Sequence, residues 1–452
     1  MRFSNRPRMV PEQGGGAPRA RLAAAEGHRR RLSISSGVSL MVESGSVRGV
    51  LLEVFAAALR AAEGRTVVGR ALAERPLDGP IWVCAIGKAA QSMALGAWDV
   101  LGRDCVGGLV ITKPGYLDPL PFAGLGVDCR LGGHPIPDRR SLEAGRRLIS
   151  ALAGLPDETG VLFLISGGAS SLVEVPVSWL GLAELRRVNE WLLGSGLPID
   201  AVNQVRKALS LIKGGGLLTV LKDRRSRVLA ISDVPDNAPG VIGSGLLVPE
   251  VKLAERLAEL ALPSWLDELV GRGLERRGLL PAFGPPIELV ATVQTAKAAA
   301  AETGRRAGLP VRVHQCTVEG DAVRAGRRLA GVLLSGPPGL HIWGGETTVC
   351  LPDSPGRGGR NQHLALAAAV ELAGHPSGAL LSAGTDGTDG LTDDAGGLVD
   401  GFTLERARDA GLDAVMSLAR ADSGSFLQAS GDLIRTGPTG TNVMDLMLGF
   451  RE

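Results

Sequence analysis

The chain has 452 residues, of which 44% are apolar and 21% charged, and its formal net charge is +2. That length exceeds one comfortable hydrophobic core and predicts two domains, while the near-balanced charge argues against polyanion binding as its main business. No stretch approaches the roughly 18 apolar residues of a membrane span, and five scattered cysteines without a C-x-x-C pair fit reduced thiols rather than a disulfide framework or a structural zinc site.

Residues 1–40 are rich in Arg and Gly, with Arg29, Arg30 and Arg31 in a row, and lack the apolar core of a secretory signal. They read as part of a disordered tail over 1–45, or as a start placed too early, with Met41 the true start. A basic arm for nucleic acid is the less favoured alternative. An amphipathic helix is expected just past Met41, in VRGVLLEVF at 47–55.

Short apolar runs follow at 81–86, 108–112, 161–166, 228–232, 287–292, 311–316, 340–343, 347–351 and 379–383. Most are continuous rather than alternating, the pattern of strands buried on both faces. Helical patterns between them, such as 141–152 and 182–193, predict βαβ units and largely parallel sheets. Gly, Arg and Pro crowd together at 272–286, which places the inter-domain connection there, between a first domain over 46–275 and a second over 287–452. Ligands in such folds bind beyond the carboxyl ends of the strands, so loops after apolar runs are where chemistry is expected.

In the first domain, Gly87-Lys88 follows a strand and opens a helix, offering an ammonium and free N–H groups to an anion. It is not a P-loop, since Ala89 replaces the magnesium-binding hydroxyl. The turn Ser166-Gly167-Gly168-Ala169-Ser170-Ser171 combines close backbone approach with hydroxyl donors, as phosphate cradles do. On the helix from Asp200, Asn203, Arg206 or Lys207, Ser210 and Lys213 share one face that ends in Gly214-Gly215-Gly216, suggesting that something binds against the backbone. Asp233, directly after a strand, suits magnesium or a hydroxyl proton.

In the second domain, Gly344-Gly345-Glu346 joins two strand-like runs. Arg357 and Arg360 stand among glycines at a helix start with Asn361, a pattern for an anionic ligand because Arg binds phosphate or carboxylate bidentately. Asp386 and Asp389, in acidic glycine turns, can hold divalent metal or orient a hydroxyl. Thr436 to Asn442 supplies small and hydroxylic groups for a phosphate or nucleotide pocket. Cations, carboxylates and glycine loops in one chain together suit phosphoryl transfer.

GKAA at 87–90, GGHPIPD at 132–138, SGGASSL at 166–172, VRKALSLIKGGGL at 205–217 and SDVPDN at 232–237 resemble the first domain of the glycerate 2-kinase (class II glycerate kinase) family. GGETT at 344–348, GRGGRNQ at 356–362, SAGTDGTDG at 382–390 and TGPTGTNV at 436–443 resemble its second, MOFRL domain. The resemblance runs in order over 46–450. It implies two Rossmann-like α/β domains with the active site in the cleft between them, ATP and magnesium as co-substrates, and D-glycerate phosphorylated on its 2-hydroxyl. It also implies a cytoplasmic enzyme with small-molecule partners, neither nucleic acid nor membrane, and is compatible with a homodimer.

By the same resemblance Lys88 and Arg360 are the catalytic pair. Asp386 would join them, Asp233 and Asp389 would hold metal, and Gly167, Gly168, Ser170, Ser171, Asn203, Arg206, Lys213, Glu346, Arg357 and Asn361 would bind substrate or phosphate. Ala208 departs from the family pattern, standing where His is expected. Two rivals are a hydroxypyruvate reductase, which needs a dinucleotide site although no G-x-G-x-x-G occurs, and a non-catalytic sensor of phosphorylated metabolites.

Overall fold

The computed structural model describes residues 29–35, 38–43, 46–276 and 280–452. Most of the stretch expected to be a tail, 1–28, and three residues of the expected connection, 277–279, lie outside the described residues. Residues 36–37 and 44–45 of that stretch also lie outside; its described residues form β1 (Arg29–Ser35) and β2 (Val38–Glu43), which pair antiparallel and pack on helix α1 (Val47–Ala62), with Ile34 buried.

The first sheet contains β3 (Ile81–Ile86), β4 (Cys105–Thr112), β5 (Val127–Leu131), β6 (Gly160–Ile165), β7 (Ser226–Ile231) and β8 (Ile287–Ala291). All its pairings are parallel, in the order β5-β4-β3-β6-β7-β8. Every residue of β3 and β6 is buried, as continuous apolar runs covered on both faces should be. The chain winds outward in opposite directions from β3 and from β6. The crevice between their carboxyl ends is therefore the topological switch point, where ligands bind in such sheets. Helices α2 (Gly64–Glu74), α3 (Ala90–Leu101) and α4 (Arg139–Ala153) flank this lobe, and Asp138 starts α4 with a capping box to Ser141.

The second sheet holds β9 (Val311–Val313), β10 (Val318–Asp321), β11 (Gly339–Thr348), β12 (Gly378–Gly384), β13 (Gly396–Asp400), β14 (Leu433–Ile434) and β15 (Asp445–Arg451). Its order is β10-β11-β15-β12-β13-β14, with β9 also beside β11. The expectation of a largely parallel sheet fails here. β15 runs antiparallel to both β11 and β12, and β12, β13 and β14 alternate in direction. Connections 385–395 and 435–444 carry no helix, and without a crossover element a strand returns antiparallel.

The run at 340–343 and the first two residues of the run at 347–351, expected as separate strands, lie in the one strand β11, which continues through Gly344 and Gly345 and ends at Thr348. A side chain at Gly345 would strike the Val318 carbonyl, so the glycine admits a neighbouring strand rather than a turn.

The lobes exchange segments. β8, expected to begin the second domain, is hydrogen-bonded to β7 as the edge of the first sheet. α1, expected in the first domain, packs on helix Val293–Arg306 and on β15 of the second. Arg48 fixes it there, 2.6 Å from Asp400 and 2.8 Å from Asp432. One apolar cluster runs from α1 through β3 and α3 to β12 and β15, joining the lobes at their core.

Candidate active site

The site begins at the switch point. After β3 the chain turns through Gly87, whose φ of 131° and contact with Ser166 leave no room for a side chain. The Lys88 N–H donates to the Gly167 carbonyl at 2.9 Å, and the Ala89 N–H donates to Ser166 Oγ at 3.0 Å. These bonds lash the loops after β3 and β6 together and aim the Lys88 side chain out of the first lobe. Its Nζ lies 2.6 Å from Asp386 Oδ2, in the turn after β12 of the second lobe. Burial would lower the Lys88 pKa, but the Asp386 carboxylate holds it above the ordinary value. Burial likewise opposes the charge on Asp386, and Lys88 with the Thr388 N–H at 3.0 Å keeps that carboxyl low.

Asp233 reaches the same place from the end of β7. Its Oδ2 accepts from Asn442 Nδ2 of the second lobe at 3.0 Å. A side chain on Gly167 would run into both the Asp233 carboxylate and the Asn442 amide, so three loops converge on that glycine. Burial pushes the Asp233 carboxyl up, Lys88 pulls it down, and Asp386 pushes it up again.

Arg360 opens the helix Arg360–Leu372 and lies against Asp445 in bidentate fashion, Nε to Oδ2 at 2.6 Å and Nη2 to Oδ1 at 3.0 Å. Its Nη1 is 2.7 Å from Glu346 Oε1. Burial raises the Glu346 carboxyl, Arg360 lowers it, and Asp445 and Asp233 raise it further. Lys88 and Arg360 also repel one another. Lys88, Asp233, Asp386, Arg360 and Glu346 thus form one charged neighbourhood built from both lobes.

Several expected binding residues take up other positions. Ser170 Oγ is 2.6 Å from Ser244 Oγ, which donates to Asn203 Oδ1 at 2.7 Å, so Ser170 and Asn203 belong to a polar chain that braces the loop after β6. Lys213 is buried in an ion pair with Glu174, which also accepts from Ser210 Oγ at 2.6 Å. The glycine triplet 214–216 packs against the loop at 244–250 rather than lining the cleft, with Gly214 N–H on Ser244 O and Gly215 N–H on Gly245 O. Ser171 Oγ is 2.9 Å from His134 Nδ1, and Gly168 lies beside both Lys88 and the His134 ring. Arg206 donates from Nε to Asn189 Oδ1 at 3.1 Å and is close enough to depress His134.

Asp389 caps the helix that carries Arg360. Its Oδ1 accepts from the Asn361 N–H at 3.0 Å, and its Oδ2 from the Gln362 N–H at 2.8 Å and Gln362 Nε2 at 3.1 Å. Asn361 is buried, its Oδ1 accepting from Ser382 Oγ at 2.7 Å. Both oxygens of Asp389 are consumed in fixing a helix start, a different position from the open metal ligand expected there. Arg357 bonds to Asp394 and to Gln428 Oε1, the latter at 2.7 Å. With Asp394 and Arg435 it lines a separate cavity of about 390 Å³.

Five residues beyond those expected enter the site or its support, Lys113, Tyr116, His134, Glu174 and Asp445, and Asn442 comes from the expected loop 436–442. Tyr116 OH donates to the Asp386 carbonyl at 3.0 Å and lies 3.2 Å from Thr388 Oγ1. With Lys88, Gln91, Ser92 and Pro438 it bounds a cavity of about 110 Å³. Burial and the nearby positive charges of Lys88 and Lys113 push His134 down to about 3, so its ring is neutral. Lys113 immediately follows the run 108–112, where the strand-end rule alone would have found it.

Among the described residues no group of three or more His, Cys, Asp or Glu forms a metal cage, and no helix is long and apolar enough to cross a membrane. Magnesium needs no such cage, because it binds through one or two carboxylates, substrate phosphates and water. Asp233, half-buried and with one oxygen held by a neutral amide, fits that donor set; Asp389 does not.

The MOFRL family model matches residues 339–445, and a domain of unknown function, DUF4147, matches 50–264. The D-glycerate 2-kinase of Thermotoga maritima is 35% identical over 422 residues, covering 91% of this chain and 100% of the relative. The glycerate 2-kinase of Pyrococcus horikoshii is 34% identical, covering 83% of this chain and 88% of its own. A putative hydroxypyruvate reductase of Agrobacterium vitis is 38% identical, covering 89% and 94%. The crystal structure of glycerate kinase from Thermotoga maritima superposes with a TM-score of 0.77 at 34% identity, covering 90% of this chain and 99% of that one.

Proposed function

The chain belongs to the glycerate 2-kinase family, and from that premise we propose that it transfers the terminal phosphoryl group of ATP to the 2-hydroxyl of D-glycerate. The observation that carries the reading is the 2.6 Å contact of Lys88 with Asp386 at the switch point of the first sheet, beside Asp233 and Arg360. Phosphoryl transfer asks a protein for cations on the phosphates, carboxylates for a metal and an oriented hydroxyl, and this cleft gathers those parts from two lobes.

In the reaction the 2-hydroxyl oxygen forms a bond to the terminal phosphorus, the bond from that phosphorus to the bridging oxygen breaks, and ADP leaves. Lys88 and Arg360 neutralise the charge of the transferring phosphoryl and of the glycerate carboxylate. Asp386, held ionised beside Lys88, accepts the hydrogen bond of the attacking hydroxyl, orients it and takes its proton as the oxygen–phosphorus bond forms. Asp233 would hold Mg2+, which when bound screens the phosphate oxygens. Neutral His134, linked to Ser171, offers a polar wall without adding charge. The loop at 166–171 brings its backbone close to the phosphate, and Gly167 permits the approach of Asp233.

A cytoplasmic setting suits an ATP-consuming enzyme whose five cysteines are all free thiols. Neither the sequence nor the first strand-to-helix turn supplies the dinucleotide fingerprint that a reductase would need. The test is ADP release in the presence of magnesium, ATP and D-glycerate. Release that requires glycerate supports the kinase. Hydroxypyruvate-dependent oxidation of a nicotinamide cofactor without ATP, or ATP and glycerate binding without turnover, overturns it.

A further inference from the structure

The cations at the cleft are not equally committed. Lys88 has Asp386 at 2.6 Å, and Arg360 has Asp445 and Glu346 at 2.6 and 2.7 Å. Lys113, at the carboxyl end of β4 next to β3, has no such partner among the described residues. Its Nζ touches the hydroxyl of Thr388 at 3.3 Å and stands 4.0 Å over the Tyr116 ring, and no carboxylate of the described residues lies within ion-pair distance. Thr388 and Tyr116 are themselves tied to the Asp386 turn, so the ammonium is held at the seam between the lobes.

A half-buried ammonium with only a neutral hydroxyl and an aromatic face for company is a costly arrangement. The cost is recovered when an anion arrives. We propose that Lys113 is a direct ligand of the transferring phosphoryl group, with Thr388 beside it as a hydroxyl donor and Tyr116 as the residue that positions it. The inference rests on the phosphoryl-transfer reading above and adds a third cation to Lys88 and Arg360. The charges around Lys113 agree with this. Burial lowers it to about 8, Asp386 and Asp393 raise it, Lys88 lowers it, and it in turn depresses His134. Its charge is therefore present at neutral pH and lost as the pH rises through about 8 in the empty site. A bound dianion restores the charge.

The experiment measures binding of inorganic sulfate, a tetrahedral dianion that does not titrate in this range, by calorimetry near pH 6.5 and near pH 9.5, which bracket the depressed lysine. Wild-type protein is expected to bind at least about tenfold more weakly at the higher pH, the scale of losing a charge-assisted bond. Lys113→Arg should retain binding at both, because guanidinium keeps its charge. Lys113→Met should bind at least about tenfold more weakly near pH 6.5 and show little pH dependence. Lys252→Met, on the exposed surface, is the control.

Sulfate affinity in Lys113→Met equal to wild type overturns the proposal. So does a wild-type affinity that stays level between the two pH values. If Lys113→Met does not fold, the Arg variant decides through its pH dependence. Because sulfate binding needs no turnover, retained, Lys113-dependent binding in an inactive wild type would refute the kinase reading while leaving this anion site standing.

Discussion

Lys88 Nζ and Asp386 Oδ2 lie 2.6 Å apart although the first belongs to one lobe and the second to the other. Both side chains are nearly buried, with 16% and 7% of their surface exposed, so the pair is little screened. Lys88→Ala should lower turnover by at least about a hundredfold, the scale of removing one preorganised charge donor. It also strands Asp386 and Asp233, so a stability loss of about 3–5 kcal/mol is expected in denaturant titration. The double variant Lys88→Met with Asp386→Asn should recover most of that stability and none of the activity. Near-normal turnover in Lys88→Ala would remove it from the mechanism.

Arg360 depends on geometry as much as on charge. Lys at this position keeps the charge but cannot make the bidentate contact to Asp445 together with the bond to Glu346. Arg360→Lys is expected to lower kcat/KM by about tenfold to a hundredfold, one to two charge-assisted bonds. Steady-state kinetics with each substrate varied in turn will show whether ATP or glycerate feels the loss.

Asp386 and Asp389 stand three positions apart in the sequence and should fail differently. Asp389→Asn turns an amide group toward the N–H groups of Asn361 and Gln362 and costs about 1–3 kcal/mol for the unsatisfied donors. Its melting temperature should fall while its magnesium requirement stays unchanged. Asp386→Asn should fold and lose activity. A raised magnesium requirement in Asp389→Asn at unchanged melting temperature would return that residue to the metal.

Asp233 carries the opposite expectation. Asp233→Asn keeps the size of the side chain and its neighbour Asn442, and the apparent magnesium requirement should rise by about tenfold to a hundredfold. Titration of activity against magnesium at saturating ATP is the measurement. An unchanged requirement would assign the metal to substrate oxygens and other ligands.

The first lobe was legible because its strands are buried on both faces, and continuous runs such as IWVCAI at Ile81–Ile86 have that one explanation. β15, the central strand of the second sheet, was not. Its sequence DLMLGFR begins at Asp445, whose role is to receive Arg360, and a short run after a glycine-rich loop gives no sign of its place between β11 and β12. Lys88, Asp233 and Arg360 could be found from strand ends and glycine turns.

Tyr116 acquires its importance only when the lobes meet, which no local pattern records. Asp389 looked like a metal ligand for the same reason in reverse. An acidic glycine turn reads alike whether it faces a cation or a helix start, and here a helix claims it.

The most direct test of the account is phosphorus NMR of the product formed from magnesium, ATP and D-glycerate. A cleft that orients the 2-hydroxyl against the transferring phosphoryl predicts 2-phosphoglycerate, formed in step with ADP and lost in Lys88→Ala. Formation of 3-phosphoglycerate, or the absence of any phosphorylated glycerate from folded wild-type protein, would contradict it.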